Sequence, residues 1–335
     1  MKIAMLAPIA WRTPPRHYGP WELVTHLITE ALVERGVDVT LFATLDSLTS
    51  ATLDGVVPAP YSEDPSIDAK VWEYRHLSHV FAQADRFDII HNQADFPAHA
   101  FAPLVDTPMV TTIHGFSSDR ILPMYAPYQD RVHYVAISDA DRHPELRYAA
   151  TIHHGIPLDD FPLDAKGSDD LLFFGRLHPD KGAAEAIAAA RASGGALDLY
   201  GIVQDQGYHD RAVAPELDAS IRYHGAVGGE ARVRALGGAR ALLHLINFDE
   251  PFGLSVIEAM ACGTPVIATR RGSMPELIEH GVTGFLVDTP AEAVKAIERV
   301  GEIDRAACRR AVAERFSVAR MADDYIALYR RILAR

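Results

Sequence analysis

Two acids and two cations in the second half of the chain have the spacing for chemistry. Glu250 and Glu258 stand eight positions apart, about two turns if the residues between are helical, so both acids can face one way. Pro251 and Gly253 break whatever precedes them, and residues 254–261 are a compact run of tolerable helix formers. Gly263 suits the left-handed position after such a helix, and Thr264 with Pro265 prevents its continuation. The apolar run 241–246 reads as the strand before Glu250, and 266–269 as the strand after the helix. Glu250 therefore falls at the carboxyl end of a strand, just ahead of a helix start. There the amides of Phe252, Gly253, Leu254 and Ser255 are free to attract an anion. A second anion cradle runs from strand 171–174 through Gly175, Arg176, Lys181 and Gly182 into an alanine-rich helix. Arg176 offers phosphate oxygens a fork and Lys181 a point charge.

A phosphate at the helix start would repel a neighbouring carboxylate, so Glu250 and Glu258 are better used as acceptors for hydroxyl donors. Two such acceptors flanking an anion site describe a ligand with phosphates in the middle and hydroxyl-rich rings at both ends, a nucleotide-sugar. Strands at 197–200 and 221–224 form the floor under its base and ribose, and Gly201 and Val227, which follow them, are the candidate neighbours of the base.

The elements that must position these residues alternate apolar runs with helical patterns, which predicts mostly parallel sheets covered on both faces. In the first half, strand 2–8 leads into an Arg-, Pro- and aromatic-rich loop, a helix over 22–35 and a strand over 37–43. Further strands are expected at 88–92, 109–114, 134–138 and 150–153. The loop 11–21 is the first βα connection, where such sheets bind ligands. Its Trp11, Tyr18 and Trp21 suit stacking on a ring or sugar, and Arg12 and Arg16 suit an anionic group, so we assign this loop to the acceptor.

The chain has 335 residues, 48% hydrophobic and 23% charged, enough for two α/β domains. A net charge of −13 argues against nucleic acid as a partner and gives no indication of a peripheral membrane contact. Two cysteines make neither a disulfide framework nor a cysteine zinc cluster. The sequence opens on a buried strand rather than a leader, and no apolar run approaches the ~20 residues of a membrane span, so the expected compartment is the cytoplasm. The histidines lack ligand spacing. One D-x-D pair exists, Asp139 and Asp141, and acids in the first turn of a helix are the preferred reading of it. No metal and no cofactor are expected.

The stretch 250–265 resembles the E-x7-E signature of the retaining family-4 glycosyltransferases, and 175–182 is similar to that family's G-R-x-x-x-x-K-G segment. The resemblance covers nearly the whole chain. It implies the GT-B fold: two doubly wound Rossmann-like domains facing a central cleft, with a C-terminal helix crossing back to the first. On that division residues 1–156, with a helix near 317–335, form the acceptor-side domain. Residues 157–170 are a linker and 171–316 bind the nucleotide-sugar. The family carries a His-Gly at the strand end occupied by His114 and Gly115, which implies a sugar-positioning role for His114. It usually carries Gly-Gly where this chain has Gly19 and Pro20, so a phosphate contact there must come from Gly19 or Trp21. The expected reaction is metal-independent, retaining transfer of a hexose to a hydroxyl of a small molecule or glycan, with UDP favoured over GDP. Glu250 would hold the sugar hydroxyls, Glu258 the ribose, and Arg176 and Lys181 the departing phosphate. Segments 271–277 and 281–287 also match, with packing of the sheet edge as their expected job. Two further readings stay open: another GT-B enzyme, a sugar phosphorylase or nucleotide-sugar epimerase, and a non-catalytic nucleotide-sugar binding module.

Overall fold

The computed structural model describes residues 1–17, 19–115 and 117–334. They divide into two compact units, Met1–Gly155 with Val318–Arg335, and Ile156–Ser317. Each is a wholly parallel sheet.

The first sheet holds β1 (Lys2–Leu6), β2 (Asp38–Thr44), β3 (Thr52–Val57), β4 (Ile89–Asn92), β5 (Met109–Ile113), β6 (Val132–Ala136) and β7 (Tyr148–Thr151). They lie in the order β3-β2-β1-β4-β5-β6-β7. Ile3 to Leu6, Leu41 to Ala43, Ile89 and Ile90 are buried on both faces, as a covered parallel sheet requires. The helices at 20–34 and 69–81 flank it, and β3 with the second of these fills a stretch that the sequence reading left blank. The second sheet holds β8 (Leu171–Phe174), β9 (Leu197–Tyr200), β10 (Ile221–Tyr223), β11 (Ala241–His244), β12 (Val266–Thr269) and β13 (Gly284–Val287). Their order is β10-β9-β8-β11-β12-β13.

In each unit the winding reverses once, between β1 and β4 in the first and between β8 and β11 in the second. The carboxyl ends of strands at such a reversal leave a crevice, where doubly wound sheets bind ligands.

Residues 157–170, expected as a linker, belong to the second unit and are packed into it. Asp164 donates its amide to Cys262 O at 2.9 Å, and Arg305 and Arg309 hold the carbonyls of Asp164 and Leu158. The last helix, Val318–Leu333, returns to the first unit as expected. Arg35 reaches its Asp323 and Ala319, while Tyr325 meets Thr112 at 2.7 Å and Tyr329 meets His91 at 2.6 Å. Asp139 and Asp141 correct the helix reading. They lie in a turn, where Ser138 Oγ accepts the Asp141 amide and the Asp141 carboxylate takes Ser117.

Inside the first unit burial keeps His76 and His99 neutral, at about 4, and His91 at about 3. These values are depressed below the ~6.5 of an unfolded histidine, so the unfolded chain binds more protons and stability is lost as pH falls below about 6.5. The urea midpoint should therefore drop between pH 7 and pH 5. A midpoint that holds level or rises over that range contradicts the buried, neutral assignment.

Candidate active site

In the second unit the two cradles meet across the winding reversal. Lys181 follows β8 and Glu250 follows β11, and Lys181 Nζ lies 2.6 Å from Glu250 Oε1. The other carboxylate oxygen, Oε2, is 2.9 Å from His244 Nε2 at the end of β11. The side chains of Lys181 and Glu250 are 14% and 13% exposed. Burial alone would raise the Glu250 carboxyl, but His244 and Lys181 together hold it down at about 2. The Lys181 ammonium also sits 4.7 Å from the centre of the Phe248 ring.

Glycine makes this approach feasible. Gly182, at φ 75°, ends the Lys181 turn, and a Cβ there would come within 1.9 Å of Leu245 O. On the other side Gly272, at φ 51°, lies so close to Glu250 that a Cβ would meet its backbone N and O at 2.4 Å. Ser273 then donates its amide to Glu250 O at 3.0 Å and its hydroxyl to Phe252 O. Residues 271–277, expected only to pack the sheet edge, thus clamp the loop that carries Glu250.

Beyond that loop Gly253, at φ 112°, opens the helix Leu254–Ala261 with no side-chain cap, leaving the start open to an anion. Leu254 and Ser255 are partly exposed there, whereas Phe252 is buried. Arg176 donates to Gln204 Oε1 at 2.6 Å. Gly201 is a close approach: a Cβ would fall 1.7 Å from Gly175 O, so it seats the turn that leads to Arg176. Val227 lines a separate cavity of about 450 Å³ with Tyr200, His224 and Arg234. Glu258 is 2% exposed and bonded to Arg232, and burial outweighs that partner and raises its pKa. The structure therefore pairs Glu258 with a guanidinium and does not leave it open.

In the first unit the residues after β1, β4 and β5 converge. Trp21 stacks on His114 at 5.3 Å, and His114 on His154 at 5.4 Å. His114 Nε2 lies 2.6 Å from Gln93 Oε1, which can only accept, so Nε2 carries the hydrogen and Nδ1 the lone pair. That Nδ1 is buried without a hydrogen-bond partner. Burial, with a minor contribution from His91, holds the ring neutral at about 3. Gly19, at φ 157°, caps the first helix, and the Glu22 carboxylate lies against it and takes the Trp11 amide at 3.1 Å. An acid of the chain itself occupies this helix start, which argues against donor phosphate at Gly19. Trp11 and Trp21 line a cavity of about 480 Å³. Arg12 and Arg16 do not, a correction to the anion-holding loop: Arg12 is bonded to Pro14 O, and Arg16 is spent on Asp46 and Glu63. Tyr18 lies outside the described residues.

Residues 22–160 match the family model described as Glycosyltransferase Family 4, and residues 158–315 the one described as Glycosyl transferases group 1. AviGT4, a glycosyltransferase involved in avilamycin A biosynthesis, superposes with a TM-score of 0.75 at 25% identity, covering 100% of this chain and 98% of that one. This chain is a GT-B glycosyltransferase. It is 27% identical to the glycogen synthase of Mycobacterium tuberculosis in an alignment that covers 94% of this chain and 89% of that protein. The sucrose-phosphate synthase of Thermosynechococcus elongatus shares the fold, with a TM-score of 0.76 at 19% identity over 100% of this chain and 99% of that one.

Sequence reasoning about this glycosyltransferase missed His244, Arg232, Gln93 and Ser273, which act as partners of residues it named. His244 had a signal in its place at a strand end beside the motif, and Ser273 in the matching segment 271–277, whose expected job was packing. Among the described residues no group of three or more His, Cys, Asp or Glu could hold a metal ion, and no helix is long and apolar enough to cross a membrane. Imidazole NMR should find His114 as the Nε2–H tautomer, uncharged from pH 8 to pH 5. A titration midpoint inside that range would contradict the buried, Gln93-bonded ring.

Proposed function

We propose that this enzyme transfers a hexose from a UDP-sugar to an acceptor hydroxyl with retention of anomeric configuration and without a metal ion. The observation that carries this is the Lys181–Glu250–His244 cluster at a winding reversal beside an uncapped helix start. Fixed positive groups at that point match the negative charge that grows on the distal phosphate as the anomeric C–O bond breaks. In this reading Lys181, Arg176 and the amides of Leu254 and Ser255 take that charge. Glu250 does two jobs: one oxygen holds Lys181 in place, and the free lone pairs accept the hydroxyls of the sugar. The departing phosphate then takes the proton of the acceptor hydroxyl on the face it leaves.

Neutral His114, with an unused Nδ1 lone pair, accepts a hydrogen bond from a sugar hydroxyl and is unsuited to be a general base. The choice of a UDP-linked hexose has one outside support, that HepE of Anabaena, which shares the fold at 18% identity, was solved with UDP-glucose. Arg232 and Glu258 form the floor near the ribose, with Glu258 exchanging part of its contact to Arg232 for a hydroxyl.

Thermal-shift titration with UDP and GDP, followed by product release from UDP-hexoses and NMR of the product anomer, tests the reading. Stabilisation by UDP over GDP and a retained anomer are expected, with EDTA leaving the rate unchanged. An inverted anomer would refute the mechanism. Lys181→Ala and Arg176→Ala should each lose roughly a hundredfold in rate, about 3 kcal/mol of barrier, and both should fold, Lys181→Ala with lower stability because Glu250 keeps only His244 as a partner. Near wild-type turnover in both would remove them from the phosphate site. By calorimetry, Glu250→Gln should weaken the intact donor more than UDP, because it loses the sugar contact as well as part of the hold on Lys181, and Glu258→Gln should weaken UDP itself.

A further inference from the structure

The cavity of about 480 Å³ in the first unit is lined by side chains from the ends of β1 and β4 and from both flanking helices. Its titratable lining among the described residues is Glu22, Glu73, Asp95, His76 and Tyr61, and no lysine or arginine is among the described lining residues. Aromatic faces from Trp11, Trp21, Tyr61 and Phe96 complete it. The acids already hold partners: Glu22 takes its own amide and that of Trp11, Glu73 the Tyr61 hydroxyl at 3.0 Å, and Asp95 the Tyr125 hydroxyl and the Phe96 amide. A carboxylate has about four lone-pair sites, so each retains acceptor capacity.

His76 supplies an independent observation. It is 2% exposed, and its Nε2 lies 3.0 Å from Ala7 O. A carbonyl only accepts, so Nε2 bears the hydrogen and Nδ1 a lone pair, and that Nδ1 is buried with no partner. Burial keeps the ring uncharged. The polar lining thus asks for hydrogen-bond donors and offers no cation to an anion.

We infer that this cavity binds the acceptor, and that the acceptor is a polyhydroxylated ring without a phosphate or carboxylate, an amino-substituted ring being taken over its phosphorylated counterpart. The inference rests on the transferase reading above. Apolar ring faces stack on the tryptophans while hydroxyl or ammonium hydrogens meet Glu22, Glu73, Asp95 and His76 Nδ1. An anionic substituent would face three carboxylates with no compensating charge.

The test uses the full chain, UDP-glucose, and a panel of glucose, mannose and galactose, each with its 2-amino and 6-phosphate derivative. Product is measured by mass, and UDP release is followed in parallel without any acceptor. The neutral and amino sugars should exceed their phosphates in kcat/KM by roughly tenfold or more, and Glu73→Gln should narrow that ratio severalfold. Phosphates used as well as or better than their neutral partners would overturn the inference and point instead to Arg120 of the neighbouring cavity. UDP release with transfer only to water would overturn it as well. Absence of any UDP release, with UDP-glucose or other nucleotide-hexoses, would overturn the donor reading and this inference with it.

Discussion

The contact on which the second unit depends is the ion pair of Lys181 and Glu250. It joins residues 69 positions apart, across the one place where the sheet changes direction. Taking two charges out of water is costly, and the pair survives because its geometry is tight and His244 satisfies the second oxygen. Removal of either partner would leave the other as a nearly buried charge. The glycines follow from the same constraint: two backbone turns must come closer than any Cβ permits, at Gly182 against Leu245 and at Gly272 against Glu250. A cation held this firmly needs little rearrangement when negative charge arrives, which is the basis of electrostatic preorganisation.

The first unit solves a different problem, the placing of a neutral imidazole. Gln93 accepts from His114 Nε2 and donates to His91 Nε2 at 2.9 Å, which leaves His91 Nδ1 to donate to the Tyr329 hydroxyl. The directions of these bonds are mutually consistent, so one amide orientation fixes two tautomers. Tyr329 belongs to the final helix. Its hydroxyl can donate or accept, so it takes the direction that Gln93 imposes and links the final helix to the end of β5 through His91.

Much of this was legible in the sequence. The helix Leu254–Ala261 and strands β8, β9 and β12 fall where glycine, proline and apolar runs placed them, because each is bounded by strong local signals. The pair β3 and the helix Ala69–Phe81 was not legible. β3 is an edge strand carrying Asp54 and Gly55, and its tie to the helix is polar, Asp54 to His79 at 2.8 Å, so no hydrophobic period announces either element. Asp139 and Asp141 misled because acids favour a helix start and a turn alike. In the site the motif residues were readable, but their partners were not. Arg232, Gln93 and Ser273 lie far along the chain from what they hold, and only the folded sheet order brings them there.

The two units differ in what they offer a ligand, and the difference is electrostatic. The second unit keeps cations and an uncapped helix start at its winding reversal, with Glu250 already engaged by Lys181 and His244. The first unit fills its own helix start with Glu22 and lines the adjoining cavity with acceptors. Asp95 shares that cavity, and it is the only non-glycine residue with positive φ among those described, at 62°. Its carbonyl is pinned by Asn92 at 2.7 Å and its carboxylate by Tyr125, contacts that over-determine a conformation an ordinary loop would relax. Strain of this kind persists where the surrounding structure needs one carboxylate in one place. A phosphate and a hydroxyl-rich ring demand opposite surroundings, and in the function proposed above each sheet serves one of them.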